Sequence, residues 1–173
     1  MIAAFSYAGR VLKREDYTES AEKAAAFVEE FLTRDDGGLR VRFRQGEAAG
    51  TGYLDDYAFY IWGLLELYET AGKKSAFEKA LDLTEKMMKE FASPDGQGLF
   101  FTSIDSEPLI FRPKETYDGA IPSGNSVAAA NLLRLAKETK EQSLIEQADQ
   151  QLRFVLGQGK NNPMAHSFSL FAL

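Results

Sequence analysis

The sequence contains no cysteine and only one histidine among its 173 residues. The first absence excludes disulfides, thiolate metal sites and any C-x-x-C redox motif. With a single imidazole there is no two-histidine or histidine–carboxylate spacing for a metal, and no G-x-S-x-G elbow or phosphate-cradling glycine loop is present, so neither metal nor cofactor is expected. Basic residues are outnumbered: 20 Lys and Arg face 26 Asp and Glu, a formal charge of -6. A general nucleic-acid binder needs a dense basic footprint to displace counterions, and this chain lacks one. No apolar run approaches the roughly 20 residues that span a bilayer. The apolar opening Met1-Ile2-Ala3-Ala4-Phe5 is interrupted by Gly9 and Arg10 and has neither a basic leader nor a small-residue cleavage site, unlike a signal peptide. A cytoplasmic protein without nucleic-acid or membrane partners is expected.

The sequence does hold apolar residues in helical rhythm, 45% of the chain, sufficient for a single domain over residues 1–173 with one core. From Thr18 to Thr33, Ala21, Ala24, Ala25, Val28, Phe31 and Leu32 recur at spacings of three and four, opposite Glu19, Glu22, Lys23, Glu29 and Glu30. That pattern predicts a helix with one buried face. Ser75 to Phe91 repeats it, with Ser75-x-x-Glu78 as a capping box, and Gln142 to Leu156 is a third example. Between these lie helices apolar on nearly every side: Leu54 to Thr70, Ser123 to Thr139 and the opening Ile2 to Leu12. A further one begins at Pro163. The methionines and the region of Trp62 read most simply as core.

Enclosed and one-faced helices therefore alternate, as in a layered array with a protected row and a solvated row. Asp36-Gly37-Gly38-Leu39 and Asp95-Gly96-Gln97-Gly98-Leu99 each follow a one-faced helix and lead into a β-prone piece, Val41-Arg42-Phe43 or Leu99-Phe100-Phe101-Thr102. The fold expected is all-α, a partial α/α toroid of about three helical hairpins with short β-hairpin loops. A ring of about six hairpins needs perhaps twice this length at the same period, so the chain is expected to be a fragment of a larger toroid. Its exposed apolar flanks would pair with the remainder of the ring or with a second copy, as a homodimer.

In such an array the loops entering the enclosed helices rim the central cavity, and polar residues there are the functional candidates. In Gly52-Tyr53-Leu54-Asp55-Asp56-Tyr57, Asp55 and Asp56 would act as acid or base on a sugar ring stacked on Tyr53 and Tyr57. Alternatively, either carboxylate caps the helix. The loop Arg112 to Ser126 is the second candidate. Asp118 is a further acid–base candidate, Arg112 and Lys114 would hold an anionic group or pair with Glu115 and Asp118, Ser123 would cap, and Asn125 would face a cavity. His166 lies near the start of the last enclosed helix, as a proton shuttle or as a half-buried polar residue. The expected ligand is a carbohydrate-like small molecule.

The pieces Met1-Ile2-Ala3-Ala4, Ala8-Gly9-Arg10-Val11-Leu12, Tyr53-Leu54-Asp55-Asp56-Tyr57-Ala58-Phe59, Arg112-Pro113-Lys114-Glu115, Tyr117-Asp118-Gly119-Ala120 and Pro122-Ser123-Gly124-Asn125-Ser126 together resemble the spermatogenesis-associated protein 20-like family, also described as domain of unknown function 255. The resemblance implies a thioredoxin-like domain followed by a six-hairpin α/α toroid similar to glycosidases and N-acylglucosamine 2-epimerases, of which this chain is roughly half, without the thioredoxin-like part. Thioredoxin activity is therefore not expected of it. The chain departs from the characterised epimerases, which use two histidines where it has only His166. The resemblance supplies no catalytic residues, so Asp55, Asp56 and Asp118 rest on the residue argument. The alternative to a carbohydrate-active or carbohydrate-binding domain is a non-catalytic helical scaffold that docks a partner or a fused thioredoxin-like domain.

Overall fold

Three pairs of long amphipathic segments are separated by two-residue breaks, and each break uses the same backbone device. Lys13, Gly72 and Lys140 adopt left-handed φ of 54°, 67° and 59°, and their N–H groups donate to the carbonyls of Gly9, Tyr68 and Ala136. This closes the preceding helix and reverses the chain. The computed structural model describes residues 1–107 and 109–172, and the side chains of all of these except 171 and 172. It contains α1 (Ile2–Leu12), α2 (Glu15–Phe31), β1 (Arg42–Arg44), β2 (Glu47–Ala49), α3 (Leu54–Ala71), α4 (Lys74–Phe91), α5 (Gly124–Thr139) and α6 (Gln142–Gly159), then a 3-10 segment, Pro163–Ala172.

α1, α3 and α5 stand side by side as an inner row, with α2, α4 and α6 each packed behind its own inner partner. The 3-10 segment packs on α5 and α6. The chain is thus a partial α/α toroid, all-α apart from one small hairpin in which Arg42 pairs with Ala49 and Arg44 with Glu47. None of its helices is long and apolar enough to cross a membrane among the described residues.

α3 carries the architecture. Leu54, Tyr57, Ala58, Tyr60, Ile61, Leu64, Leu65 and Leu67 are all buried, against α1, α2, α4 and α5. Gly63 lets α1 approach closely, since a Cβ there would lie 3.0 Å from the Ile2 side chain.

Two loops turn inward with the same hydrogen bonds. After α2, Arg40 N–H donates to Leu32 and Arg34 N–H to Gly38; after α4, Phe100 N–H donates to Phe91 and Ser93 N–H to Gly98. Each loop buries a leucine, Leu39 or Leu99, whose backbone must be satisfied without water. The next inner helix supplies the partners. Leu39 N–H donates to Tyr57 Oη (2.9 Å), while Leu99 N–H donates to Asn125 Oδ1 and Leu99 O accepts from Asn125 Nδ2 (both 2.9 Å). A buried carboxylate ties the two loops together. Glu90 pairs with Arg34 (3.2 Å) and Lys86 (3.3 Å) and accepts hydrogen bonds from Tyr57 Oη (3.3 Å) and Ser103 Oγ (3.1 Å).

Several expectations are corrected. α1 is not enclosed: Met1 is 81% and Leu12 61% exposed, with Tyr7 and Val11 also open, because only α2 and α3 pack against it. The Ser75–Glu78 capping box does not form; α4 starts one residue earlier with Lys73 at its N-cap and no side-chain cap. Leu99 to Thr102 makes a single bridge, Leu99 with Ala92, rather than a strand, since its polar groups are taken by Asn125. The last segment is 3-10 with a non-helical residue at His166 (φ −137°) rather than a continued helix. Met87 is core, but Met1 and Met164 are exposed.

Asn125 is the most committed polar side chain of the core, and Asn125→Ala strands Leu99 N–H and C=O and Glu115 C=O, while Gln151 Nε2 loses one of its two acceptors and keeps the Asn125 carbonyl. At about 1–3 kcal/mol for each buried group left unpaired, denaturant unfolding should show a loss of at least about 3 kcal/mol. A loss below about 1 kcal/mol would mean that the loop does not depend on this clamp.

Candidate functional site

Four neighbouring helices cover α3 on all sides but one. The least covered stripe is Asp55, Phe59, Trp62, Glu66 and Glu69, which recur at the three- and four-residue spacing of a single helix face, with Glu66 buried beneath its ion partners.

At the C-terminal end of the stripe is an ion cluster that crosses the whole inner row. Arg10 of α1 pairs with Glu66 (3.1 Å) and Glu69 (3.2 Å), and Arg134 of α5 pairs with Glu66 (3.0 Å) and Glu69 (2.6 Å). Two cations balance two anions, and the three inner helices are held in register. The middle of the stripe is aromatic. Trp62 is half-buried, its ring 6.4 Å from Phe59 and 5.3 Å from Phe168, and its indole N–H donates to Glu66 Oε1 (3.3 Å).

At the N-terminal end are the two carboxylates. Asp56 accepts the N–H of Tyr53 (2.8 Å) and so closes the start of its own helix. Asp55 reaches across to accept the N–H of Gly124, the first residue of α5. Burial pushes the Asp55 carboxyl above the usual range against the opposing Gly124 hydrogen bond, and the nearby Asp56 and Glu115 charges add to the rise. Burial likewise raises Asp56, opposed by the Tyr53 N–H.

Two cavities meet this stripe. The larger, about 950 Å³, is bordered by Asp55, Asp56, Phe59 and Trp62 of α3, by Tyr7 of α1 and by Phe27 of α2, among others. It lies between the first turns of α1 and of α3, with Met1, Ile2, Ala3 and Ala4 also in its wall. The smaller, about 370 Å³, lies between α3, α5 and the 3-10 segment and is lined by Trp62, Val127, Ala130, Asn131, Arg134 and Phe168. Trp62 borders both.

The other candidates sit elsewhere. Tyr57 is wholly buried, its hydroxyl held between Leu39 N–H and Glu90 and its pKa pushed up to about 12, chiefly by burial. It is core rather than a stacking platform. Tyr53 is partly exposed and stacks on Phe101 at 4.9 Å. Asp118 is buried and accepts Ser123 N–H (2.9 Å) and Phe168 N–H (2.8 Å), clipping its loop to the 3-10 segment; neither cavity includes it. Ser123 is the N-cap of α5 and accepts the N–H of Ser126. Asn125 is fully buried and faces protein rather than a cavity, since both ends of its amide are taken. Arg112 donates to the carbonyl of Thr102 and lies 4.2 Å over the Phe100 ring, while Lys114 pairs with Asp95 (3.3 Å) and donates to Gln97 O (2.6 Å). His166 contacts Thr116 Oγ1 (3.3 Å) and Asn162 O (3.1 Å) and borders neither cavity. The structure therefore brings Asp55 and Asp56 together with residues not singled out from the sequence: Phe59, Trp62, Arg10, Glu66 and Arg134. For Phe59, Trp62 and Glu66 the signal was one face of α3 that sets aromatic rings between carboxylates; Arg10 and Arg134, on α1 and α5, carried no such mark.

Because the folded pKa of Asp55 lies above its ordinary value, its ionised form costs stability, and this cost disappears once the carboxyl is protonated in both states. Asp55→Asn keeps an acceptor for Gly124 N–H and removes the charge. It should raise the melting temperature at neutral pH, and the gain should fade as pH drops through the folded pKa toward the ordinary carboxylate value. Thermal melts of both proteins from pH 3 to 8, on the order of one point per unit, check this; a variant less stable at neutral pH would show that the ionised carboxylate itself holds α5.

No family model matches the chain. Spermatogenesis-associated protein 20 of Rattus norvegicus is 37% identical over 145 residues, which cover 78% of this chain and 18% of that protein. Among solved structures, cellobiose 2-epimerase from Bacillus thermoamylovorans superposes with a TM-score of 0.70 at 18% identity, covering 87% of this chain and 41% of that one. A family 76 glycoside hydrolase (mannosidase) from Bacteroides thetaiotaomicron gives 0.70 at 13% identity, covering 87% and 40%. At such identities the likeness is one of fold, and it places the three hairpins within the six-hairpin glycosidase-like architecture. The chain spans under a fifth of the length of its rat relative, and by that relationship it belongs to the spermatogenesis-associated protein 20-like family.

Proposed function

We propose that the open face of the inner row binds a neutral carbohydrate. The observation that carries this reading is the α3 stripe itself, in which carboxylates, then aromatic rings, border two adjoining cavities. A pyranose presents apolar C–H faces and a rim of hydroxyls. Phe59 and Trp62 suit the first, and Asp55 and Asp56, as acceptors, suit the second. Neutrality follows from the ion cluster: Arg10 and Arg134 are each paired with Glu66 and Glu69, so no unpaired cationic side chain among the described lining residues awaits a uronate or a phosphate. The sugar-processing names of the fold neighbours point in the same direction.

Binding is favoured over turnover within this chain. Glycoside hydrolysis needs two carboxyl groups flanking the reacting bond, roughly 5 to 10 Å apart, whereas Asp55 and Asp56 are adjacent on one helical turn and Asp118 is held by two backbone N–H groups. A second reading, a scaffold that docks a partner, a fused domain or a second copy, is supported by the helix-end hydrogen bonds of Asp55 and Asp56 and by the exposed apolar residues of α1.

Calorimetric titration with a broad panel of neutral sugars separates the two. The carbohydrate reading expects a saturable signal that Trp62→Ala weakens about tenfold, the worth of one aromatic contact. A stable protein that binds none of the panel leaves the scaffold.

A further inference from the structure

Resting on the carbohydrate reading, we infer that the ligand is an oligosaccharide of at least two rings, one on each side of Trp62. The two cavities share this one side chain as a common wall. At about 950 and 370 Å³, both fall within the range of small-ligand sites, and the indole stands between them.

The partition is fixed before any ligand arrives. The indole N–H is held by Glu66, and Glu66 is held by Arg10 from α1 and by Arg134 from α5. The ring lies 5.3 Å from that of Phe168 and 6.4 Å from that of Phe59, and both limit its movement. A side chain held this way loses little further freedom on binding, which favours stacking over rearrangement. Glu66 and Arg10 are positioning residues that set the indole and line neither cavity, while Arg134 both holds Glu66 and lines the smaller cavity.

The two compartments also differ in chemistry. The larger presents the acceptors Asp55 and Asp56. The smaller presents Arg134, a donor only, and Asn131, whose Nδ2 already donates to Ala58 O (2.8 Å). A single pyranose occupies part of one compartment and meets one of these polar sets. Two linked rings fill both, and the second ring binds with the entropic benefit of being tethered to the first.

The experiment compares each monosaccharide with its own dimer: glucose with cellobiose, mannose with mannobiose, and N-acetylglucosamine with chitobiose. Dissociation constants come from saturation-transfer NMR on the whole chain. For the sugar that binds, the dimer should bind at least about tenfold more tightly than the monomer. Ala130→Phe, which fills the smaller cavity, should bring the dimer down to the monomer's affinity. Glu66→Ala, which removes the acceptor of the indole N–H while leaving every cavity-lining residue in the sequence, should narrow the gap without closing it. Equal affinity for monomer and dimer, or a gap that survives Ala130→Phe in a folded variant, overturns the two-ring proposal and leaves the carbohydrate reading standing. Absence of signal from every sugar overturns both.

Discussion

The structure depends on the covering of α3. A helix with Leu54, Tyr57, Ile61, Leu64, Leu65 and Leu67 buried on several faces cannot stand alone in water, and at roughly 25 cal/mol per Å² of apolar surface removed its burial dominates the local energetics. α1 and α5 cover its flanks, and α2 and α4 cover its back. Each cover brings its own loop inward, which creates the buried backbone at Leu39 and Leu99 and the need for Tyr57 and Asn125 to satisfy it. What remains uncovered is the stripe from Asp55 to Glu69, so the candidate site is what is left over once the core of α3 has been satisfied.

The electrostatics follow from the same geometry. Where three inner helices come together, charges on the uncovered stripe are drawn from solvent into partial burial, and they survive there only in pairs. Glu66 meets Arg10 and Arg134, and Glu90, on the other side of the layer, meets Arg34 and Lys86. Asp55 and Asp56 have no such cation; backbone N–H groups stand in for it, and burial raises both carboxyls. Carboxylates raised by burial beside aromatic rings are candidates for a functional face, and here the same two residues also make helix-end hydrogen bonds.

The fold was legible in the sequence because apolar residues on nearly every side of Leu54 to Thr70 and Ser123 to Thr139, against a single stripe in the helices between, leave few arrangements other than two rows. α1 was misjudged because periodicity reports how apolar a segment is, not which neighbours it has; Tyr7, Val11 and Leu12 look like core and lie at the open flank. The site was half legible. Asp55 and Asp56 stood out as acids opening an apolar helix, and Ser123 as a cap. Asp118 was read as an acid–base candidate and Asn125 as facing a cavity, whereas both hold backbone, with their farthest partners 50 and 26 residues away, beyond any local pattern. Trp62 was read as core since an aromatic residue on an otherwise apolar helix carries no mark of the side it faces. Only the missing neighbour on that side, a tertiary fact, distinguishes it.

Trp62 is the chain's single tryptophan, so its fluorescence reports on the uncovered face of α3 alone. The most direct test of that face is therefore quenching by acrylamide, which is neutral, and by iodide, an anion. The account predicts that acrylamide quenches readily and that iodide does so less well at low salt, repelled by Asp55 and Asp56. Blue-shifted emission resistant to acrylamide would contradict it, placing Trp62 in a closed core and removing the site.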